Sequence, residues 1–187
     1  MKISYCTTCH GRLWQLKQTI EHNLQYTSND SSEIVVLFYN DEKAYREFKQ
    51  DYHRYIQSGV LTVINHIEDR VFKDGKRWSW GYTKDLVHTA AKGQVLFNLD
   101  ADNFIDDGLH ELLLTLKEDE VVITKQSEWS PDGRSGRIGL HKSVYAETRY
   151  GDDGNRDDIE LMMKCVQKRL KFRQVSCQIK PISNIPT

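Results

Sequence analysis

The chain has 187 residues, of which 39% are hydrophobic and 28% are charged, and its formal net charge is −1. This length and composition are typical of one globular domain with its own hydrophobic core. The small net charge excludes a strong overall attraction to nucleic acid or to anionic membranes. Residues 1–13 lack the apolar stretch of a secretory signal and no run of 18 apolar residues occurs, so we expect a cytoplasmic protein without a membrane span.

The first 125 residues alternate between strand and helix patterns. Apolar residues recur three or four positions apart in four segments, which predicts helices at 13–24, 45–55, 80–90 and 109–116. We expect Gly93 to act as the C-cap of the third helix. Short apolar or β-leaning runs predict strands at 2–6, 33–39, 60–64, 94–99 and 120–124. This order is typical of an α/β fold with a mostly parallel central sheet and helices on both faces.

The pattern changes in the last third of the chain. Turn residues cluster in 127–139 and again in a Gly-Asp loop at 151–155. The remaining pattern predicts helices at 142–148 and 157–171 and a final strand at 172–179. Since no linker interrupts the sequence, we predict a single domain, 1–187, made of residues 1–125 and a smaller mixed C-terminal region, 126–187.

Four cysteines raise the question of a haem or zinc site. Cys6, Cys9 and His10 have the C-x-x-C-H spacing of c-type haem attachment, but no export signal accompanies them. A zinc site with all four cysteines would need a second close pair, and Cys165 and Cys177 lack that spacing. We therefore expect reduced thiols.

Two carboxylates directly follow the predicted core strand at 94–99. Asp100 and Asp102 thus lie at a carboxyl end of the sheet, which is where open α/β sheets bind ligands. Mn²⁺ and Mg²⁺ prefer oxygen ligands and often share them with a diphosphate. The pair therefore indicates a Mn²⁺ or Mg²⁺ site. The alternative is a solvated turn before a helix that is capped by Asp106 or Asp107.

Residues 70–84 interleave cations with aromatic rings. Arg77 and Lys84 suit phosphate groups, while Trp78, Trp80 and Tyr82 suit the face of a sugar or a base. We expect a lid that closes over a bound donor or contacts the acceptor. The alternative is a loop whose tryptophans anchor it to the core.

The charge is unevenly distributed along the chain. No acid follows Glu160, whereas six Lys or Arg do, and the first 160 residues carry −7. This end is either a solvated helix face or a phosphate-facing surface. With the cations of 70–84, it keeps nucleic acid among the candidate acceptors.

Three segments resemble the GT-A glycosyltransferases, especially the family 2-like enzymes. They are ISYCTTCHGR at 3–12, GYTKDLVHTAAKGQVLFNLDADNFID at 81–106, and GRIGLHKSVYAETRYGDDGNRDDIELMMKCV at 136–166. The second segment, which contains the D-x-D motif, is the most specific match. The resemblance extends from about residue 3 to residue 172 and implies a GT-A-like fold.

The resemblance also implies which residues bind the donor and the metal. Asp100 and Asp102 match the D-x-D that holds the metal and the donor diphosphate. Thr7 matches the strand-end residue that faces the nucleoside, and we expect Thr8 and Arg12 to join it. Arg77 and Lys84 complete the expected donor-binding set.

Asp157 and Asp158 match the acidic pair whose second member acts as general base in this family. That base takes the proton of an acceptor hydroxyl during a direct displacement, which inverts the anomeric carbon. The residues alone also allow a simpler role, because acids in the first turn of a helix stabilise its N-terminus.

The sequence departs from the family pattern in three places. The second strand ends in Tyr39 and Asn40 instead of an acidic pair, so either Tyr39 or Asp41 takes the base-reading position. The first acid of the catalytic pair is Asp157 instead of Glu. The histidine that many relatives use as a further metal ligand is missing after that pair, which leaves His141 as a candidate ligand.

Taken together, these residues predict a metal-dependent, inverting hexosyl- or pentosyltransferase that uses a nucleotide-sugar, with a UDP-sugar as the expected donor. The acceptor is a saccharide or, in a phage-type DNA modification carried out in the host cytoplasm, a modified DNA base. Two alternatives remain: a non-catalytic nucleotide- or sugar-binding module, and a nucleotidyltransferase, which would need a Gly-rich basic loop near the N-terminus. The sequence leaves open the sugar, the acceptor and the oligomeric state.

Overall fold

A computed structural model describes residues 2–125, 136–151 and 156–183. Its strands are β1 (Ile3–Cys9), β2 (Ser32–Tyr39), β3 (Leu61–His66), β4 (Val95–Asn98), β5 (Glu120–Lys125), β6 (Ile138–His141) and β7 (Lys171–Ser176). Its helices are α1 (Leu13–Leu24), α2 (Glu42–Asp51), α3 (His53–Gln57), α4 (Trp80–Ala90), α5 (Asp107–Leu114), α6 (Lys142–Thr148) and α7 (Asp157–Gln167).

The seven strands form one sheet in the order β3-β2-β1-β4-β6-β5-β7. Only β6 runs antiparallel to its neighbours, β4 and β5, while the other pairs are parallel. This confirms the predicted mostly parallel α/β sheet. The first two strands and β4 are buried along their whole length, although only β2 and β4 have the apolar run that predicts this.

Helices cover both faces of the sheet and define two apolar clusters. One cluster includes Leu16 and Ile20 of α1 and Leu109 of α5; the other includes Val87 of α4 and Leu161 of α7. The two catalytic candidates therefore lie on a helix of the second face. Among the described residues, no helix has the length and apolar character that crossing a bilayer requires.

Four expectations about the elements need correction. The helix predicted at 45–55 is two helices, which meet at Tyr52. Gly93 does not cap α4, because Ala91 does so; instead, a Cβ on Gly93 would lie 2.6 Å from the amide nitrogen of Ser4. The segment up to residue 139 contains the start of β6, and α7 and β7 end at 167 and 176. The turns expected at 127–135 and most of the loop at 152–155 lie outside the described residues.

Candidate active site

A cleft of about 300 Å³ opens at the carboxyl ends of β1 and β4, beside the N-termini of α1, α4 and α7. It unites predicted site residues from both halves of the chain. The lining residues are Thr8, Arg12, Trp80, Lys84, Asp100, Ala101, Asp157 and Asp158. This is the edge at which an open α/β sheet binds ligands.

Asp100 and Asp102 lie in the loop after β4. The side-chain amide of Asn98 donates to Asp100 Oδ1 at 3.0 Å, and Asn103 donates to Asp102 Oδ1 at 2.7 Å. Burial and then the neighbouring carboxylate of Asp100 raise the pKa of Asp102 above its usual value. The two carboxylates thus repel each other in a partly buried place, which is an environment that a divalent cation would relieve.

The two carboxylates of this loop are ligands of the kind that Mn²⁺ or Mg²⁺ prefers. No group of three or more His, Cys, Asp or Glu side chains with metal-binding geometry occurs in 2–125, 136–151 and 156–183. A cation held here would take its remaining oxygen ligands from water and from a diphosphate, as Mg²⁺ commonly does.

His141 is wrongly expected as a metal ligand. It pairs with Val95 at the start of β4, five residues before Asp100, which corresponds to about 16 Å along a strand. Its Nε2 is 2.8 Å from the backbone oxygen of Leu116. His141 therefore lies toward the opposite end of the sheet from the aspartates.

Polar side chains of α1 hold the aspartate loop. Thr19 donates to the carbonyl oxygen of Ala101 at 2.8 Å. Asn23 donates to the carbonyl oxygen of Asn103 at 2.9 Å and accepts from the amide of Ile105 at 2.8 Å. Both side chains are buried. Sequence reasoning missed them, although their four-residue spacing beside the apolar stripe of α1 is the signal that marks a second buried row.

Lys84 lines the cleft and contacts the acidic pair at the start of α7. Its Nζ is 2.7 Å from Asp157 Oδ2 and 2.6 Å from Asp158 Oδ1. Side-chain exposure is 5% for Lys84, 6% for Asp157 and 30% for Asp158. Nζ also lies 5.3 Å from the ring centre of Tyr150. The cation therefore contacts the predicted catalytic acids, and only Asp158 keeps substantial access to the cleft.

Close backbone packing fixes these groups. A Cβ on Gly81 of α4 would lie 1.8 Å from the carbonyl oxygen of Gly151, and a Cβ on Gly136 would lie 2.6 Å from Asp158 Oδ2. Side chains at either position would push α4 or β6 away from the acidic pair. Glycine thus permits the approach of three chain segments to one carboxylate pair.

Asp158 combines burial with an excess of negative charge. Burial raises its pKa to about 7; Lys84 opposes this shift, whereas Asp157 and Asp100 add to it. A carboxyl group that titrates near neutral pH is suited to exchange protons with a substrate hydroxyl. Burial, followed by the carboxylates of Asp158 and Asp157, also raises the pKa of Tyr150, which keeps that phenol neutral.

Arg77, another predicted donor residue, lines a second cavity together with the lid candidate Trp78. This cavity is lined by His10, Asn40, Ile67, Glu68, Asp69, Arg77 and Trp78. His10 stacks on Trp78 with ring centres 4.7 Å apart, and Trp78 makes an edge contact with Trp80 at 5.0 Å. The Trp78–Trp80 pair therefore separates this cavity from the cleft.

The two candidates for the base-reading position have other contacts. Tyr39 is buried, and its hydroxyl donates to Glu68 Oε1 at 2.8 Å; Tyr82 donates to the other oxygen of Glu68 at 3.2 Å. Asp41 caps α2 and accepts from the amide of Gly11 at 3.3 Å. Two acids, Glu68 and Asp69, line the second cavity, and Asp69 is paired with Arg77. Sequence reasoning missed Glu68, because no local pattern distinguishes it. Thr7 is buried within β1.

Comparison with known proteins places these observations in a wider context. No family model matches the sequence, and no relative appears among curated proteins. Solved structures do match, at 13–16% identity. The chain spans only 59% and 55% of the first two structures below.

Four of these structures illustrate the likeness. They are S. aureus TarS 1-349 (14% identity, 97% of this chain and 59% of that one, TM-score 0.67); the mannosyltransferase PcManGT from Pyrobaculum calidifontis with GDP-Man and Mn²⁺ (13%, 94% and 55%, 0.69); glucosyl-3-phosphoglycerate synthase from Mycobacterium tuberculosis with UDP (15%, 99% and 73%, 0.69); and a nucleotidyl transferase from Methanothermobacter thermautotroptrophicus (14%, 95% and 88%, 0.62). The mixed sheet of this chain and these matches show a GT-A-like fold, as the sequence predicts.

Proposed function

We propose that this protein transfers a sugar from a nucleotide-sugar to an acceptor hydroxyl with the help of Mn²⁺ or Mg²⁺. The observation that carries the proposal is the cleft itself. It is lined by Asp100 of the loop after β4, by the acidic pair at the start of α7, and by Lys84, which contacts that pair. A metal–diphosphate site and a proton acceptor are the two functions that this transfer needs, and the D-x-D loop and the pair on α7 would supply one each.

The donor diphosphate is expected at Asp100 and Asp102. A bound divalent cation there would neutralise charge on the leaving nucleoside diphosphate. Thr8 and Arg12 line the same side of the cleft. Arg12 lies over the ring of Trp80 at 5.3 Å, which leaves a cation beside the position expected for the phosphates. In two of the similar structures, GDP-Man with Mn²⁺ and UDP are bound, which supports this class of donor.

The nucleoside is expected in the second cavity. His10 and Trp78 supply stacked rings there, and Arg77, which forms an ion pair with Asp69 at 2.8 Å, lies at its rim. We favour a UDP-sugar. Glu68 would take the place of the acid that the second strand lacks, since it faces this cavity from the end of β3.

Asp158 is the proposed general base. It would accept the proton of the acceptor hydroxyl while that oxygen bonds to the anomeric carbon and the bond from that carbon to the diphosphate oxygen breaks. A single displacement of this kind inverts the anomeric configuration. Asp157, which is more deeply buried, would orient the acceptor or Lys84.

The acceptor is proposed to be a saccharide or another small hydroxyl compound. Three of the six cations at the basic C-terminal end are paired with acids: Lys168 contacts Glu147, Lys171 contacts Asp119, and Arg173 contacts Glu120. A nucleic-acid acceptor would need these ion pairs to break, which makes DNA the less favoured candidate.

The nucleotidyltransferase alternative has one supporting observation, since this chain covers 88% of such an enzyme. However, the β1–α1 turn, Cys9 to Leu13, contains a single glycine and does not provide a Gly-rich triphosphate cradle. A binding module without catalysis would bind donor but never turn it over.

A donor screen tests the proposal. UDP-, GDP- and dTDP-sugars are added with and without Mn²⁺, and thermal shift and release of nucleoside diphosphate are measured. We expect metal-dependent stabilisation and slow hydrolysis with one nucleotide class.

Asp102→Asn should remove metal-dependent binding with little loss of stability. Asp107→Asn, which changes an exposed acid of the adjacent helix, should leave that binding intact. Unchanged binding by Asp102→Asn would contradict the D-x-D interpretation, and pyrophosphate release from a nucleoside triphosphate would favour nucleotidyl transfer.

A further inference from the structure

Lys84 is expected from sequence to bind the donor, but its contacts are with the opposite side of the cleft. Its ammonium group lies within hydrogen-bond distance of both Asp157 and Asp158, at 2.7 and 2.6 Å. Asp100 acts on this ammonium group only as a nearby charge, without the hydrogen bond that Asp157 and Asp158 each make. An ammonium group has three donor hydrogens, and two of them are used by these acids.

The position of Lys84 is fixed from several directions. The residue is 4% exposed on α4, one turn after the helix start that packs against Gly151. Its backbone oxygen contacts Nδ1 of the buried His88 at 2.7 Å, and its ammonium group faces the ring of Tyr150. Lys84 therefore has little freedom to turn toward a donor without leaving two acids unpaired, which is costly in a buried place.

We propose that Lys84 is a positioning residue that orients Asp158 and keeps it in its ionised, proton-accepting form, rather than a ligand of the donor diphosphate. The catalytic meaning of this inference rests on the proposed function. The electrostatic coupling between the two side chains does not, and it can be measured in the protein without donor or metal.

The charged and titratable groups around Asp158 make this role necessary. They are Lys84 on α4, Asp157 on α7, Asp100 after β4, Tyr150 before α7, and Arg12 at the opposite wall of the cleft. Asp157 and Asp100 favour the protonated form of Asp158, as does burial. Of the two cations, only Lys84 touches the carboxylate. Without it, a base this buried would hold its proton at neutral pH.

The first experiment is an NMR titration of the aspartate carboxyl carbons in the donor-free and metal-free protein. The Asp158 signal is assigned by its absence in Asp158→Asn. We expect Lys84→Met to raise the midpoint of the Asp158 titration by about 1–3 pH units, the usual effect of an adjacent opposite charge. Lys84→Arg, which retains a permanent charge, should keep the midpoint close to that of the wild type.

The second experiment measures function on the same variants with UDP-glucose and GDP-mannose, each with Mn²⁺. For Lys84→Met we expect the rising limb of the hydrolysis rate to move to higher pH, so that the rate recovers in alkaline buffer. Donor affinity should change less than about threefold, which is far below the loss expected when a charged contact to a phosphate is removed. The matched control is Lys17→Met, because Lys17 also bridges two acids, Glu47 and Asp51, but on the surface away from the cleft.

Stability is separated from electrostatics by a further variant. Lys84→Met leaves two buried acids with one fewer cation and is expected to lower the melting temperature. Lys84→Met/Asp157→Asn removes one buried charge with the cation and should regain stability while its Asp158 midpoint stays above that of Asp157→Asn alone.

A midpoint that does not change in any folded variant without the lysine would overturn the inference. So would a tenfold loss of donor affinity with an unchanged pH profile, which would make Lys84 a donor ligand. If no nucleotide-sugar of the donor screen binds the wild type, the proposed function fails, and the titration still decides the coupling.

Discussion

At the scale of single residues, Asp158 has the most specific expected role. Asp158→Asn keeps the size of the side chain but cannot accept a proton, so we expect transfer or donor hydrolysis to fall about 10²–10⁴-fold with donor affinity retained. Asp157→Asn should cost less, because Asp157 is 6% exposed and has little access to an acceptor. Rates and melting curves of both variants are the measurement.

The alternative role for these acids gives the opposite result. If they only stabilise the start of α7, each substitution should lower stability by about 0.3–1 kcal/mol while turnover per folded molecule stays near wild type. The pH profile adds a second criterion. Because Asp158 accepts a proton only when ionised and its pKa is raised to about 7, the wild-type rate should rise through that pH, and this limb should vanish in Asp158→Asn.

The residue scale is also where sequence reasoning reached its limit. Asp100, Asp157, Asp158 and Arg12 could be placed in one cleft, because a family pattern marks them and parallel strands end at one edge. The partners of Lys84 could not, since they lie 73 and 74 positions away. His141 was misplaced for a related reason: the direction of β6 depends on tertiary pairing that no local pattern encodes.

At the scale of elements, α1 supports the aspartate loop as well as the core. We predict that Asn23→Ala lowers the free energy of unfolding by about 1–3 kcal/mol, because it leaves the buried amide of Ile105 and carbonyl of Asn103 without this partner. It should also weaken Mn²⁺ binding by loosening the loop that carries Asp100 and Asp102. Calorimetric Mn²⁺ titration and denaturant unfolding measure both effects.

The control for this prediction lies on the same helix. Gln18 is exposed, and its side-chain amide donates to the backbone oxygen of Trp14 on the same helix. Gln18→Ala should change neither quantity. Equal Mn²⁺ affinity in Asn23→Ala and the wild type would show that the loop keeps its shape without α1.

The segment between β3 and α4, residues 67–79, is the element expected to respond to donor. Trp78 and Trp80 lie in an edge contact between the two cavities, so occupancy of either cavity should change their fluorescence. We also expect bound donor to suppress protease cleavage in 67–79. The chain has four tryptophans, so Trp14→Phe/Trp129→Phe isolates the two of interest. Identical spectra and cleavage with and without saturating donor would exclude a lid.

The order of elements was predictable because apolar periodicity is local. The eight elements described within the first 99 residues follow the order of the seven expected ones, with one expected helix divided in two. Boundaries were less predictable: the break at Tyr52 divides a continuous helical pattern because packing against β3 overrides it. Gly93 was predicted to be a helix cap, whereas a glycine is needed there because β1 approaches its backbone too closely for a side chain.

At the scale of the whole molecule, acid stability should depend on His88. This residue is fully buried on α4, and burial lowers its pKa to about 4, below the usual value of about 6.5. The unfolded chain therefore binds a proton in this window that the folded protein does not bind. The stabilising contribution of the neutral His88 is complete above about pH 6.5. It is lost as the pH falls toward 4, which lowers the free energy of unfolding by up to about 3 kcal/mol.

The test compares the slope of stability with pH. His88→Phe can keep the stacking on Tyr145, whose ring centre is 5.0 Å away, but has no group to protonate. Its unfolding free energy should fall less than that of the wild type between pH 6.5 and 4. His53→Gln, at an exposed position, should follow the wild-type slope. Parallel curves for His88→Phe and the wild type would refute the assignment.

The bridge from Lys84 to Asp157 and Asp158 also constrains when the protein can finish folding during synthesis. Chains emerge from the ribosome N-terminus first, so α4 is complete while its two acidic partners, more than 70 residues downstream, are not yet made. Until α7 arrives, burial of the Lys84 ammonium group has no counter-charge, and we expect α4 to stay loosely attached to β1 and β2. Final closure of the second sheet face and assembly of the cleft should therefore be the same late event.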